Sequence, residues 1–226
     1  MKPAFILKYI VLAALPLILY ACGNNSPVPN QKPLKDTMSY PPGDTPANVK
    51  ELIIFNRADK SKLKSLPATI TQFIPAGYEA LDTSMTDLNR DGLTDILLVA
   101  NKKGEEENKT DTVKRWLLLL LKQKVNTFKL VCKNKNAIPC GNCGGMMGDA
   151  YAGIIADSAT FTIQFYGGSN WKGTGAYTFA WSKSANDWFL IRQITEFYFM
   201  DKRQYTSDTL TGVKLGKVSI CKFSIY

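Results

Sequence analysis

Residues 49–226 predict a mainly β, antiparallel, meander-rich single domain, sandwich- or partial-propeller-like, with a minor helical element. Three observations carry this expectation. Short apolar or alternating runs recur along the segment, as strands require. Linkers rich in Gly, Ser, Asn and Lys separate them. Only one stretch has helical spacing. The whole chain has 226 residues, 45% hydrophobic and 21% charged, a globular composition whose length suits one domain.

Val49–Phe55 (VKELIIF) is the first strand candidate. Residues 59–73 hold the helix candidate, with Leu63, Leu66, Ile70 and Phe73 three or four apart and Pro67 interrupting. Leu93–Ala100 and Arg115–Lys122 are short continuous apolar runs, and Thr127–Lys133 alternates. Thr160–Tyr166, Gly175–Ser182 and Asp187–Ile194 read as successive antiparallel strands, and Lys217–Ile225 as a last one. No repeat of fixed period appears, so a complete propeller of equivalent blades is not expected.

The N-terminus calls for separate treatment. Lys2 and Lys8 precede an uncharged run, Tyr9–Tyr20, shorter than the ~20 apolar residues of a membrane span. That is the pattern of a secretory signal, residues 1–21. Leu19-Tyr20-Ala21-Cys22 resembles the bacterial lipobox, which implies diacylation of Cys22 and a membrane lipid anchor. Gly23, rather than Asp, follows the cysteine, which points to the outer membrane, and no acidic cluster argues for its outer surface. The expected location is the periplasmic face. Residues 22–48, with prolines among Asn, Ser and Gly, read as a flexible tether.

Composition excludes several chemistries. There is no histidine, so no histidine base and no histidine metal ligand is available. The net charge is +9, and loss of Lys2 and Lys8 with the signal leaves the chain basic. Such charge suits anionic lipid, lipopolysaccharide or an acidic glycan, or is simply a solvated surface. Nucleic acid is not an expected partner outside the cytoplasm.

The sharpest motif is Asp87-Leu88-Asn89-Arg90-Asp91-Gly92-Leu93-Thr94-Asp95. Oxygen-bearing side chains at alternate positions of a tight loop point inward. Asp87, Asn89 and Asp91, the Leu93 carbonyl and Asp95 make a hard-oxygen set suited to structural calcium. Leu98 stands where an EF-hand has its bidentate Glu, and a strand follows instead of a helix. An Asx-rich loop that satisfies its own backbone is the alternative.

Asp87–Val99 resembles the calcium loop of FG-GAP or VCBS repeats, which also precedes a strand. Across residues 75–195 the chain resembles a group of uncharacterised bacterial secreted proteins and lipoproteins. The matching stretches are Trp116–Leu121, Cys140–Asp149 and Phe165–Trp171. The resemblance implies a shared fold and location, and no activity.

With Cys22 assigned to lipid, Cys132, Cys140, Cys143 and Cys221 remain, an even count that suits disulfides. The preferred pairing is Cys140 with Cys143 and Cys132 with Cys221. Cys140-Gly-Asn-Cys143 also has thiol–disulfide redox spacing, but Gly144-Gly145-Met146-Met147-Gly148 is a poor helix opening for a reactive thiolate. A zinc site built from all four cysteines is the third option.

Residues 161–199 are rich in aromatics, most of which suit a strand core. Asn170 and Trp171, in a glycine-rich loop, are candidate ligand-binding residues for a glycan or an envelope protein. The expected function is therefore a non-catalytic binding or scaffold module with a structural calcium site. The alternatives are a thiol–disulfide oxidoreductase and a carboxylate-based hydrolase drawing on Asp149, Asp157 and Glu196. If the lipobox is read as such, Cys22→Ser abolishes incorporation of labelled palmitate; equal labelling would refute the anchor.

Overall fold

The computed structural model describes residues 38–39, 60–105, 113–199, 201–202 and 204–225. Residues 1–22 and the Val49–Phe55 strand candidate lie outside them. Among the described residues no helix is long and apolar enough to cross a membrane.

The chain folds as two antiparallel meanders, one after the other. Strands β2 (Tyr78–Thr86), β3 (Asp95–Lys102), β4 (Trp116–Lys122) and β5 (Phe128–Asn134) pair in sequence order as a four-stranded sheet. Strands β6 (Tyr151–Asp157), β7 (Thr160–Gly168), β8 (Trp171–Ser182), β9 (Asp187–Phe199) and β10 (Gln204–Thr211) form the second sheet the same way. Inside the expected tether, β1 (Met38–Ser39) pairs with β10 and widens that sheet by one short strand. The mainly β, antiparallel expectation holds, and the two meanders stack face to face as a sandwich.

The continuous apolar runs have a simple cause. The four-stranded sheet is buried on both faces, so alternation has no reason to appear in its inner strands. Leu97, Val99, Leu117 and Leu119 face Phe161, Ile163, Phe179, Trp188 and Leu190 of the other sheet. Ile96, Leu98, Leu118 and Leu120 point the other way, toward Leu66, Ile70 and Phe73. Those three residues lie on or beside two 3-10 turns, Lys60–Ser65 and Ala68–Phe73. The α-helix expected over 59–73 is therefore two tighter pieces separated by Pro67, which lacks the N–H to continue a helix.

The expected strand Lys217–Ile225 is also corrected. The tail follows a 3-10 turn, Gly212–Leu215, and then runs as irregular backbone that places Ile220 and Phe223 in the core while Cys221, Lys222 and Ser224 stay exposed. One isolated antiparallel bridge, Phe189 with Ser219, ties it to β9 without extending into a ladder. Leu190 N–H donates to the Val218 carbonyl (2.9 Å) and Ile220 N–H to that of Trp188 (2.9 Å). Asn134 Nδ2 donates to the carbonyls of Ile220 (2.6 Å) and Phe223 (2.8 Å). Phe223 then meets Tyr177 and Phe179 edge-on, with centroids 4.8 and 5.2 Å apart.

Both preferred cysteine pairs form. Cys132 and Cys221 bring Cα atoms 89 positions apart to 5.5 Å and pin the tail to β5. In the chain-entropy view a loop of that length is worth roughly 4–5 kcal/mol. Cys140 and Cys143, with Cα atoms 5.2 Å apart, close a local loop. The four sulfurs are spent in these bonds, so they do not gather around a zinc ion. Phe223→Ala should lower the unfolding free energy by about 3–5 kcal/mol in chemical denaturation, the cost of an emptied aromatic core position.

Candidate binding cleft and ion loop

The two ends of the sandwich differ. At one end lies the Asp87–Asp95 loop, and at the other a cleft under Trp171. The ten residue steps from Trp171 to Trp181 on β8 separate these ends by roughly 33 Å at strand rise.

In the loop, Arg90 (φ 60°) and Gly92 (φ 83°) adopt left-handed backbone, which folds the chain tightly. The side chains at the first, third and fifth positions then meet. Asp91 N–H is shared by Asp87 Oδ1 (3.1 Å) and Asn89 Oδ1 (3.0 Å), and Asn89 Nδ2 donates to Asp91 Oδ2 (3.0 Å). Gly92 N–H reaches Asp87 Oδ2 at 2.8 Å and Leu93 N–H reaches Asp91 Oδ1 at 2.8 Å. Partial burial works against the Asp87 charge, but these N–H groups hold its carboxyl below the usual range.

Asp95 is not brought into that group. It is fully buried and bridges strands instead, accepting Leu88 N–H (2.9 Å) and Lys122 N–H (2.9 Å). Burial pushes its pKa up to about 6, partly offset by those two bonds and reinforced by Asp91 and Asp87. The loop also clasps the other sheet. Ala159 N–H donates to the Asp87 carbonyl (2.9 Å) and Trp188 Nε1 to the Leu88 carbonyl (2.8 Å). The oxygen donors at positions one, three and five suit calcium in type, while each is engaged with the loop's own N–H groups. Among the described residues no three Asp, Glu or Cys side chains are arranged around one metal position.

The cleft arises because β8 and β9, at 12 and 13 residues, outrun the opposing sheet, whose longest strand has nine. The overhang is met by the 139–150 segment, leaving a cavity of about 360 Å3. Trp171, Phe197, Phe165, Tyr177 and Thr195 line one side, and Pro139, Cys143, Gly144, Gly145 and Ala150 the other. Phe165 and Tyr177 stack at 5.2 Å, and Trp171 meets Phe197 edge-on at 5.8 Å. A Cβ at Gly175 would sit inside the Phe165 ring, so glycine there lets the ring lie flat on β8. Trp171 begins β8 instead of lying in a loop, and it stays 44% exposed. Asn170 is exposed in the adjoining turn and does not line the cavity.

The opposite wall is held by an ion cluster in which Arg115 and Glu105 are buried and Asp149 is exposed. Arg115 is 3% exposed. Its Nε donates to Glu105 Oε2 (3.0 Å), while Nη1 and Nη2 grip both oxygens of Asp149 at 2.8 Å. Burial opposes the guanidinium charge, but the bonds to Asp149 and the nearby Glu105 raise its pKa overall. Glu105 Oε1 in turn accepts Gly141 N–H at 3.0 Å, inside the Cys140–Cys143 loop. A Cβ at Gly141 would lie 2.7 Å from that oxygen, so only glycine fits. On the far side, Gly168 N–H donates to the Gly144 carbonyl (2.9 Å), joining this loop to the Trp171 hairpin.

Residues 141–150 are turns and irregular backbone, with no helix N-terminus to stabilise a Cys thiolate. Cys140 is buried, whereas its partner Cys143 lines the cleft. The carboxylates considered for hydrolysis are scattered. Asp149 is held by Arg115, and Asp157 lies at the opposite end of β6. Glu196, 4% exposed, accepts from Tyr205 Oη (2.7 Å) and Thr174 Oγ1 (3.1 Å). The sequence does not single out the cleft residues Phe165, Tyr177, Thr195 and Phe197 as a site. Their available signal is Gly173 and Gly175, small residues at alternate strand positions opposite aromatics.

No protein-family model, no curated protein and no solved structure matches this chain.

The raised Asp95 pKa has a definite sign. Between the ordinary 3.8 and about 6 the folded state holds the proton that the unfolded state releases, so this group's contribution falls as pH rises through that window. In chelator, wild type should lose stability relative to Asp95→Asn from pH 4 to 6, on the order of 2 kcal/mol. Parallel pH profiles of the two melting curves would contradict this.

Proposed function

We propose that this chain is a lipid-anchored, non-catalytic binding module of the bacterial cell envelope, with calcium as a structural ion in the Asp87–Asp95 loop. The observation that carries the reading is the cleft of about 360 Å3 beneath a half-exposed Trp171. Small-molecule sites are concave, largely apolar and preformed, with volumes of about 300–1,000 Å3. This cleft has that character, and its walls are set by a disulfide loop on one side and by stacked aromatics on the other.

Calcium would sit among the oxygens of Asp87, Asn89 and Asp91 with the Leu93 carbonyl, at the cost of some of their bonds to the loop backbone. It would relieve the repulsion among neighbouring carboxylates. The loop clasps β9 through Trp188, so the ion's role is to hold the two sheets together at that end. The lipobox-like sequence ending at Cys22 and the resemblance to secreted proteins support an envelope location.

The reading is tested on the whole chain carrying Cys22→Ser, which removes the lipid. It should be retained by purified, delipidated envelope polymer, and Trp171→Ala should lose that retention while melting within a few degrees of wild type. Equal retention of both would remove the cleft from the function. Calcium should raise the melting temperature, with a gain of about 2.7 kcal/mol at a hundredfold excess over Kd, and Asp91→Ala should abolish the response. A melting curve indifferent to chelator would refute the ion.

A further inference from the structure

The chain is strongly basic, and by charge alone an acidic ligand is the natural expectation. The cleft contradicts that expectation. None of the residues lining it is charged. The nearest guanidinium on its disulfide wall, Arg115, is consumed by Glu105 and Asp149. An anionic ligand entering here would shed water and meet no cation, which is costly.

Three of the hydroxyls that line the cleft have capacity to spare, whereas that of Thr174 donates to Glu196 (3.1 Å). Tyr177 Oη has no hydrogen-bond partner among the described residues, and burial raises its pKa, keeping it a neutral donor. Ser169 Oγ is likewise unpartnered. Thr195 Oγ1 accepts a long bond from Gln193 (3.4 Å) and has no acceptor for its own proton. These three hydroxyls share the cleft with the rings of Trp171 and Phe197.

We infer that the cleft binds an uncharged sugar ring, stacked by its C–H face on Trp171, with Phe197 beside it, and hydrogen-bonded through its hydroxyls to Ser169, Tyr177 and Thr195. This rests on the reading of the cleft as the binding site and names its ligand class. A pyranose has the required pair of surfaces, an apolar face and a rim of hydroxyls that both donate and accept. A purely apolar occupant, such as an acyl chain, would bury the three hydroxyls unpaired, at a cost for each. A site built to bond hydroxyls discriminates strongly against ligands that lack them. The basic charge lies elsewhere, on the β4–β5 hairpin, where Lys122, Lys124, Lys129 and Lys133 stand in a stretch with no acidic residue from Val113 to Gly148.

The test titrates the full chain, as Cys22→Ser, with triacetylchitotriose, cellotriose and maltotriose. Trigalacturonate serves as the acidic counterpart and bis-ANS as an apolar probe. At least one neutral trisaccharide should bind and shift tryptophan fluorescence, while trigalacturonate binds at least tenfold more weakly. Trp171→Ala should weaken the sugar at least tenfold. Tyr177→Phe, which keeps the ring and the fold, should weaken it severalfold without altering bis-ANS binding. If trigalacturonate or bis-ANS binds in a Trp171-dependent way and no neutral sugar does, the ligand class is wrong and the cleft stands. If a neutral sugar binds equally to wild type and Trp171→Ala, or if no probe binds at all, the cleft reading itself falls.

Discussion

The guanidinium of Arg115 is buried between two carboxylates that belong to different parts of the chain. Glu105 follows β3, and Asp149 precedes β6 in the second sheet. Through Glu105 the same cluster holds Gly141 of the disulfide loop. It continues inward, because Asp149 Oδ1 accepts Tyr151 N–H (2.9 Å) and Tyr151 Oη donates to Asp82 (2.8 Å). Asp82 also takes Ile154 N–H (3.2 Å), tying β2 to β6 across the sheets. Burial raises the pKa of Asp82, offset in part by the Tyr151 bond, and pushes the Tyr151 phenol well up. Arg115, Glu105, Asp82 and Tyr151 are buried while Asp149 is 45% exposed, and the buried members of such a network are stable only when each is satisfied. The position of the disulfide loop that forms one cleft wall is therefore tied to both sheets through Arg115 and Glu105.

The opposite end is held by different chemistry. There the Asx-type loop closes on itself and hands its carbonyls to Ala159 and Trp188. The tail adds a third tie, with Phe223 in the core and Cys221 bound to β5. These ties flank the long β8–β9 overhang without covering it. A preformed cleft loses little ordering entropy when occupied, which favours binding without conformational change.

Legibility from sequence follows how local each cause is. Leu97–Ala100 and Leu117–Leu120 announce buried strands because every position is apolar, although nothing local shows that 3-10 turns cover one face. Nothing in the sequence pattern marks β2, β6 and β10 as strands. β2 carries buried Asp82 and Thr83 and a bulge between Ala80 and Asp82, which breaks its alternation. β6 is short on large side chains, and β10 is polar and largely exposed. Trp171 is legible as a candidate, while its partners Phe197 and Thr195 lie a strand away, and only the β8–β9 register brings them beside it.

By itself the sequence determined the β class, the turn chemistry of the Asp87–Asp95 loop, the cysteine pairing preferred on separation, and the absence of histidine chemistry. These are properties of short segments or of counts. Only the tertiary structure decided that Arg115 bridges residues 10 and 34 positions away, that the tail seats Phe223 in the core instead of forming a strand, and that the cleft is uncharged in a basic protein. Each depends on which side chains from distant strands share a face. That follows from sheet register and stacking, which no local window of residues encodes.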